Sequence, residues 1–390
     1  MTEPVRAIVD AVTRVIDSPG RAVPLHEPRF AGREWEYVKD CLDTGWVSSV
    51  GAYVDRFERD LAEMTGADHA VATVNGTAAL HLCLIAAGVR PGDEVIVPAL
   101  SFVATANAVA YCHAQPHFAD IQPDTLGLDP DKLANHLAAV TERRDGRLVN
   151  RETGNPITAI VVMHAFGHPA DMDGLIAVAA DFGLPLIEDA AESLGSTYKG
   201  RHCGALAPLA ALSFNGNKTV TTGGGGAVLV RDAETAARIK HLSTTAKVPH
   251  RWEYVHDAVA FNYRMPNINA ALGCAQLEQL PGFLDAKRRL AKAYANAFAE
   301  VTAAEFVAAP PDCESNYWLN AILVDGAVPG LRDDVLTVLN DAGVMARPAW
   351  ALLNTLPAFT GSPRMTDLTI AEDVGRRLIN LPSSAALGEI

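Results

Sequence analysis

The sequence lacks the marks of several protein classes. Its six cysteines (Cys41, Cys83, Cys112, Cys203, Cys274, Cys313) are scattered without a CxxC pair, so neither a zinc knuckle nor a disulfide framework is expected, and reduced, buried thiols are. No run of five basic residues occurs, and the formal charge is −14. The richest basic stretch is Lys287, Arg288 and Arg289, which excludes the charge pattern of a nucleic-acid surface. No uninterrupted apolar stretch approaches bilayer-spanning length. The opening MTEPVRAIVDAVTRVID carries acidic residues and no long apolar core, so an amphipathic helix is expected there instead of a secretory signal, and a cytoplasmic location with no membrane partner. His164 and His168 have the spacing of a metal pair, but Gly167 and Pro169 break the helix that would align them, so no metal is expected. There is no GK[ST] triplet, no internal repeat and no low-complexity tract.

What is present is a chain of 390 residues, 49% hydrophobic, long enough for one large domain and a smaller one. From residue 68 to 230, short apolar runs alternate with amphipathic stretches, the pattern of βαβ units around a mainly parallel sheet. Seven strands are expected at 69–74, 94–98, 116–120, 158–164, 184–189, 210–214 and 227–230, with helices at 78–87, 104–113 and 172–182. A long helical stretch follows at 267–301, with Pro281 and Gly282 marking a break or kink. Strands at 317–324 and 344–347 and helices at 331–342 and 370–378 then read as a small α+β unit. The fold class is α/β, divided as an N-terminal helical segment (1–25), a large α/β domain (26–265), and a linking helix with a small C-terminal domain (266–390).

In such sheets ligands bind beyond the carboxyl ends of the strands, and four signals stand there. SFNGNKTVTTGGGG, residues 213–226, sets Lys218 in a loop between two apolar strands. A lysine attacks an aldehyde once it is partly deprotonated, as in a dry pocket. Glu188 and Asp189 close another strand, and only one of two adjacent residues can face a site. Asp189 is chosen, as a carboxylate that would keep a pyridine nitrogen protonated. Asn75, Gly76 and Thr77 join a strand to a helix whose free N–H groups suit a phosphate, and Ser213 adds a hydroxyl. Phe102 opens a helix where its ring can stack on a flat cofactor. The glycines 223–226 suit close passage of backbone beside a ligand, or positive φ. Each has a plain alternative: a solvated loop lysine, a helix N-cap, an ordinary helix start, a core aromatic.

Together, in this order, the signals resemble the pyridoxal-phosphate enzymes of the aspartate aminotransferase fold, fold type I, in which a lysine follows the ring-nitrogen acid at the spacing found here: Lys218 lies 29 residues after Asp189. The strings GTAALHL, DEVIVPALSFVATANAV, HAFGHPADMD, IEDAAESLGSTYKG, SFNGNKTVTTGGGG and FNYRMPNINAALG narrow this, over nearly the whole chain. They resemble the DegT/DnrJ/StrS family of sugar-nucleotide aminotransferases. The resemblance implies that Lys218 binds pyridoxal 5'-phosphate as a Schiff base, with pyridoxamine 5'-phosphate as the intermediate form. It implies Asp189 at the ring nitrogen and Glu192, where many relatives carry glutamine, at the ring hydroxyl. Gly76, Thr77 and Ser213 fall on the phosphate ligands, Phe102 on the stacking aromatic, and Asn262 on a ligand given across a homodimer interface. Trp46, Val47, Ser48 and Ser49 match a segment that approaches the sugar nucleotide, and Tyr317, Trp318 and Arg347 are looser substrate-side candidates.

Within the family, the NGNK signature and the opening segment look most like enzymes that aminate C4 of a UDP-linked 4-keto-6-deoxy-N-acetylhexosamine, with L-glutamate as donor, on the way to bacillosamine or legionaminic acid. GDP- or dTDP-linked keto sugars, aminated at C3 or C4, are the alternative. A sugar 3-dehydrase of the family would carry histidine in place of Lys218. A lyase of the wider fold would want a histidine beside the lysine or a reactive cysteine, and a non-catalytic regulator would have lost part of the set.

Overall fold

The computed structural model describes residues 1–16 and 22–389. Seven strands form the main sheet: β1 His69–Thr73, β2 Glu94–Pro98, β3 Gln115–Ala119, β4 Ile157–Met163, β5 Leu186–Asp189, β6 Leu209–Ser213 and β7 Gly226–Val230. Their spatial order is β1-β7-β6-β5-β4-β2-β3. The run β6-β5-β4-β2-β3 is parallel, and β7 lies antiparallel between β1 and β6. All seven strands therefore lie where hydrophobic patterning put them, with ends moved by up to two residues.

Neighbouring residues on each strand serve opposite faces, because the side-chain period of a strand is two. Val71 and Val228 join a core with helices α4 (Gly76–Ala86), α5 (Val103–Tyr111), α6 (Pro130–Val140) and α7 (Met172–Phe182). Ala72, Ala227 and Leu229 face the other way, onto α2 (Glu34–Thr44), α3 (Ala52–Thr65) and the first half of α9 (Asn267–Phe298); α8 (Ala233–Ser243) lies between β7 and α9 in the chain. The sheet is thus buried on both faces, as parallel sheets are.

The second sheet is antiparallel, with β8 (Ala304–Phe306), β9 (Asn320–Val324), β11 (Leu378–Leu381) and β10 (Arg347–Pro348) in that order. Its core takes in α1 (Glu3–Val15), α10 (Leu331–Asp341) and the far half of α9; α11 (Thr369–Arg377) leads into β11. Helix α9 thus serves both cores, and the divide expected at 265 falls at its start. Of the break or kink expected at Pro281, the break does not occur: the helix runs on to Phe298. Leu277, Leu280, Phe283 and Ala286 are buried around the proline, and this packing outweighs the one backbone bond that proline removes. Tyr317 does not begin the strand expected at 317–324, because its φ is +46°. Pairing at 344–347 is shared: Val344 bridges Val23, and Arg347 pairs with Asn380.

That bridge matters for the site. Met345 N–H donates to the Val23 carbonyl (2.9 Å) and Ser383 N–H to the Leu25 carbonyl (2.8 Å), so residues 23–27 are sewn to the second sheet as a strap. Among the described residues no helix is long and apolar enough to cross a membrane.

Candidate active site

The strap, the carboxyl ends of the main strands and the rim of the second sheet enclose a cavity of about 840 Å³. Gly76, Thr77, Phe102, Asp189, Glu192 and Ser213 line it, and so do Lys218, Trp318 and Arg347. Residues from six separate chain segments meet there, most of them at the strand ends.

Lys218 sits on a loop closed at its base: Phe214 N–H donates to the Gly225 carbonyl (2.8 Å), and Thr222 N–H to that of Phe214 (3.0 Å). The side chain is 12% exposed, so it is not a solvated loop lysine. Its Nζ lies 3.2 Å from Glu192 Oε1 and 3.8 Å from the centre of the Trp318 ring. Trp318 is itself fixed by donating its indole N–H to the Asn217 carbonyl (2.7 Å).

The two adjacent carboxylates divide as the strand period requires. Glu188 points away from the cavity and is saturated. It accepts from His164 Nε2 (2.9 Å) and from the N–H groups of Gly204 (2.6 Å), Leu206 (2.9 Å) and Ala207 (2.6 Å). His164 Nδ1 accepts from Ala170 N–H (3.1 Å), so this histidine is committed to structure, and no cluster of three or more metal-ligating groups occurs among the described residues. Asp189 faces the cavity, with the Thr105 hydroxyl on Oδ2 (2.7 Å) and Ala191 N–H on Oδ1 (3.3 Å). Burial raises its pKa above the usual carboxylate value, although these two bonds and the charges of Lys218 and His164 pull the other way. Glu192 accepts from Phe166 N–H on Oε2 (2.9 Å), and burial pushes its pKa up to about 7.

At the far side of Lys218 the N-terminus of α4 opens into the cavity. Asn75 caps it, taking Ala78 N–H on its side chain (2.7 Å), which leaves the N–H groups of Gly76 and Thr77 free for an anion. A Cβ at Gly76 would stand 2.8 Å from Ser213 Cβ, so only glycine lets the helix start and the Ser213 hydroxyl converge. Phe102 is 48% exposed, with its ring free to cover a planar ligand and not in the core.

The other expected residues lie outside this chain's own cavity. The glycines 223–226 do not line the cavity: Gly223 has φ +77°, a Cβ at Gly225 would strike Thr222, and one at Gly226 would strike the Asn75 backbone. Their clearance serves the chain's own packing, Gly225 against Thr222 and Gly226 against the backbone at the start of α4. Trp46, Ser48 and Ser49 do not line this chain's cavity either, since the Asn267 amide and side chain pin the Ser48 carbonyl (2.6 Å) and the Trp46 carbonyl (2.7 Å) at the start of α9. Tyr317 turns away through its positive φ and accepts Ala309 N–H on its hydroxyl (3.1 Å). Asn262 is exposed and bridges Thr244, outside the cavity of its own chain.

Sequence reasoning missed Thr105, His26 and Trp350. Thr105 had a signal, one helical turn after Phe102. His26 had none, because only the strap's long-range pairing brings it to the wall. Burial first, then the charges of Lys287 and Lys218, hold its pKa well below the ordinary value. Trp350 stacks on Phe166 at 4.6 Å.

Comparison with known proteins places this geometry. Residues 28–389 match the DegT/DnrJ/EryC1/StrS aminotransferase family. The GDP-perosamine synthase of Caulobacter vibrioides is 39% identical and that of Escherichia coli O157:H7 37%, each alignment covering 94% of both chains. The solved structure of DesI in the presence of its TDP-sugar product superposes with a TM-score of 0.83 at 32% identity, over 96% of this chain and 92% of the other. The chain belongs to the DegT/DnrJ/EryC1/StrS family and is a pyridoxal phosphate-dependent sugar-nucleotide aminotransferase.

Proposed function

We propose that the enzyme carries an amino group from L-glutamate to the C4 keto group of a nucleotide-linked 4-keto-6-deoxy sugar. The observation that carries this reading is Lys218 buried between a carboxyl, an aromatic face and a free helix N-terminus in one cavity. The residues present fit the cofactor. The convergence of Gly76, Thr77 and Ser213 suits its phosphate, Phe102 its ring face, and Asp189, with burial raising its pKa, a cationic ring nitrogen that would restore the missing charge. When bound, pyridoxal phosphate supplies an aldehyde carbon and a ring that stores an electron pair.

The chain's own residues do the rest. Lys218 would hold the cofactor, and its amine, when free, is placed to take a proton from the substrate carbon and to return one. Asp189 keeps the opposite end of the site anionic. Trp318 and Glu192 fix the amine in reach of the reacting carbons. Arg347 and Phe102 border the cavity mouth, where the nucleotide sugar enters.

Two nucleotides are in question. The NGNK signature and the opening segment support a UDP-linked N-acetylated sugar. The relatives named for GDP-perosamine, at 37% and 39% identity over nearly the whole chain, support a GDP-linked one. We further propose a homodimer in which Asn262, Trp46, Ser48 and Ser49 complete the neighbour's cavity. This is supported by their placement outside their own cavity and by exposed Trp46, Val50, Trp252, Tyr254 and Val259 on the same segments. A cytoplasmic location accords with six cysteines that all stay free.

The test is incubation with glutamate and a panel of UDP-, GDP- and dTDP-linked 4-keto-6-deoxy sugars, with products read by mass. Conversion of one nucleotide series to its amine is expected; no amine from any of them contradicts the reading.

A further inference from the structure

We propose that Glu192 is a second proton-handling residue of this site, accepting the proton that Lys218 gives up and returning it. The inference rests on the reading of Lys218 as the reactive lysine. A neutral amine is needed each time Lys218 attacks or takes a proton from carbon. With the Lys218 side chain only 12% exposed, a protein group can take that proton in place of bulk water.

The geometry supplies one. Glu192 Oε1 is 3.2 Å from Lys218 Nζ, and the pair is nearly sealed, with the carboxyl side chain 2% exposed. The other oxygen is not free to wander, because Phe166 N–H holds Oε2 at 2.9 Å. Phe166 achieves this with φ +56°, a left-handed conformation that non-glycine residues seldom adopt. The backbone carbonyl of Glu192 is held as well, by Asn316 Nδ2 at 2.9 Å. Strain and burial are thus spent on aiming one carboxyl oxygen at the lysine.

The transfer balances without a further reactant. One N–H bond of the ammonium breaks, one O–H bond forms on Oε1, and both charges disappear together. Removing water weakens the ion pair relative to the neutral pair, since separated charges lose the most on desolvation. The charged groups facing Glu192 are Lys218 and, from the end of β5, Asp189. Burial outweighs the lysine's attraction and brings the carboxyl near neutrality, where a group that both takes and gives a proton works best.

Glutamine is the discriminating replacement. It keeps the size of the side chain and an oxygen for Phe166 N–H, but it cannot take a proton. With glutamate as sole substrate, the holoenzyme should convert its cofactor at a rate that is flat above about pH 7 and falls about tenfold per unit below it. This is the sign for a group that must be ionised to accept a proton. Glu192→Gln should lose that limb and run roughly 10²-fold slower at pH 8. Independently of turnover, the infrared carbonyl band of a protonated carboxyl should grow in the wild-type apoprotein as pH falls through about 7, and that part should be missing from Glu192→Gln. A Glu192→Gln enzyme within threefold of wild type, or one that keeps the limb or the infrared band, overturns the proposal. If Glu192→Gln does not fold, Glu192→Asp should retain the limb at reduced rate, and its loss there is equally contrary. A wild-type holoenzyme inert towards glutamate would instead defeat the donor assignment, with the infrared band still deciding the role of Glu192.

Discussion

Two buried acid clusters lie at opposite ends of the main sheet, and they titrate in opposite directions. At the amino end of β2, Glu94 takes His117 Nδ1 (2.8 Å) and Asn150 Nδ2 (3.0 Å) on one oxygen and the Thr153 hydroxyl on the other, while His117 Nε2 meets His136 Nε2 at 2.8 Å. Burial pushes the Glu94 pKa up, but these bonds outweigh it and hold it below the ordinary value. At the carboxyl end, Asp189 and Glu192 are as deeply buried, yet their pKa values rise. The difference is the number of donors. A carboxylate with its lone pairs filled is a structural part, and one left short stays available to a ligand or a proton.

The comparison breaks first at Lys218. Lys218→Ala should fold with an unchanged unfolding midpoint, show no violet absorption from bound cofactor, and lose transamination by roughly 10⁴-fold or more. Asp189→Asn should keep the cofactor but lose turnover by roughly 10³-fold, because a neutral partner no longer holds the ring charge; near-normal kcat would refute its role. Glu94→Ala should show the reverse pattern. Denaturant titration should find about 3 kcal/mol of stability gone, with kcat per folded molecule unchanged.

The last effect is a slope. Among the described residues, buried Lys287 has only the Trp318 (3.3 Å) and Ser383 (2.5 Å) carbonyls as hydrogen-bond partners, and burial lowers its pKa to about 7. The unfolded chain binds its proton below about pH 10.4, whereas the folded chain waits until about 7. Wild-type stability should therefore fall relative to Lys287→Met as pH drops through that window, by up to about 1.4 kcal/mol per unit, and level off below it. Parallel curves for the two proteins would show that this lysine has partners enough.

The same contrast explains what the sequence made legible. Strands buried on both faces read as continuous apolar runs, so all seven were visible, and a carboxylate pair or an NGT turn at their ends marked the ligand side. Placement that depends on distant pairing was not visible. The strap carrying His26 is held by Ser383 and Met345, and the left-handed Phe166 and Tyr317 leave no trace in composition. Helices α2 and α3, which wrap the outer face, went unread although Val54, Phe57 and Leu61 give α3 an apolar face. Trp318, read loosely as substrate-side, proved to be the surface on which Lys218 rests.

The account stands most directly on where the cofactor attaches. Borohydride reduction of the holoenzyme, followed by proteolysis and mass mapping, should place one reduced pyridoxyl group on the peptide bearing Lys218, and treatment with glutamate beforehand should abolish the label. A label on another lysine, such as buried Lys287, or none at all, would contradict it.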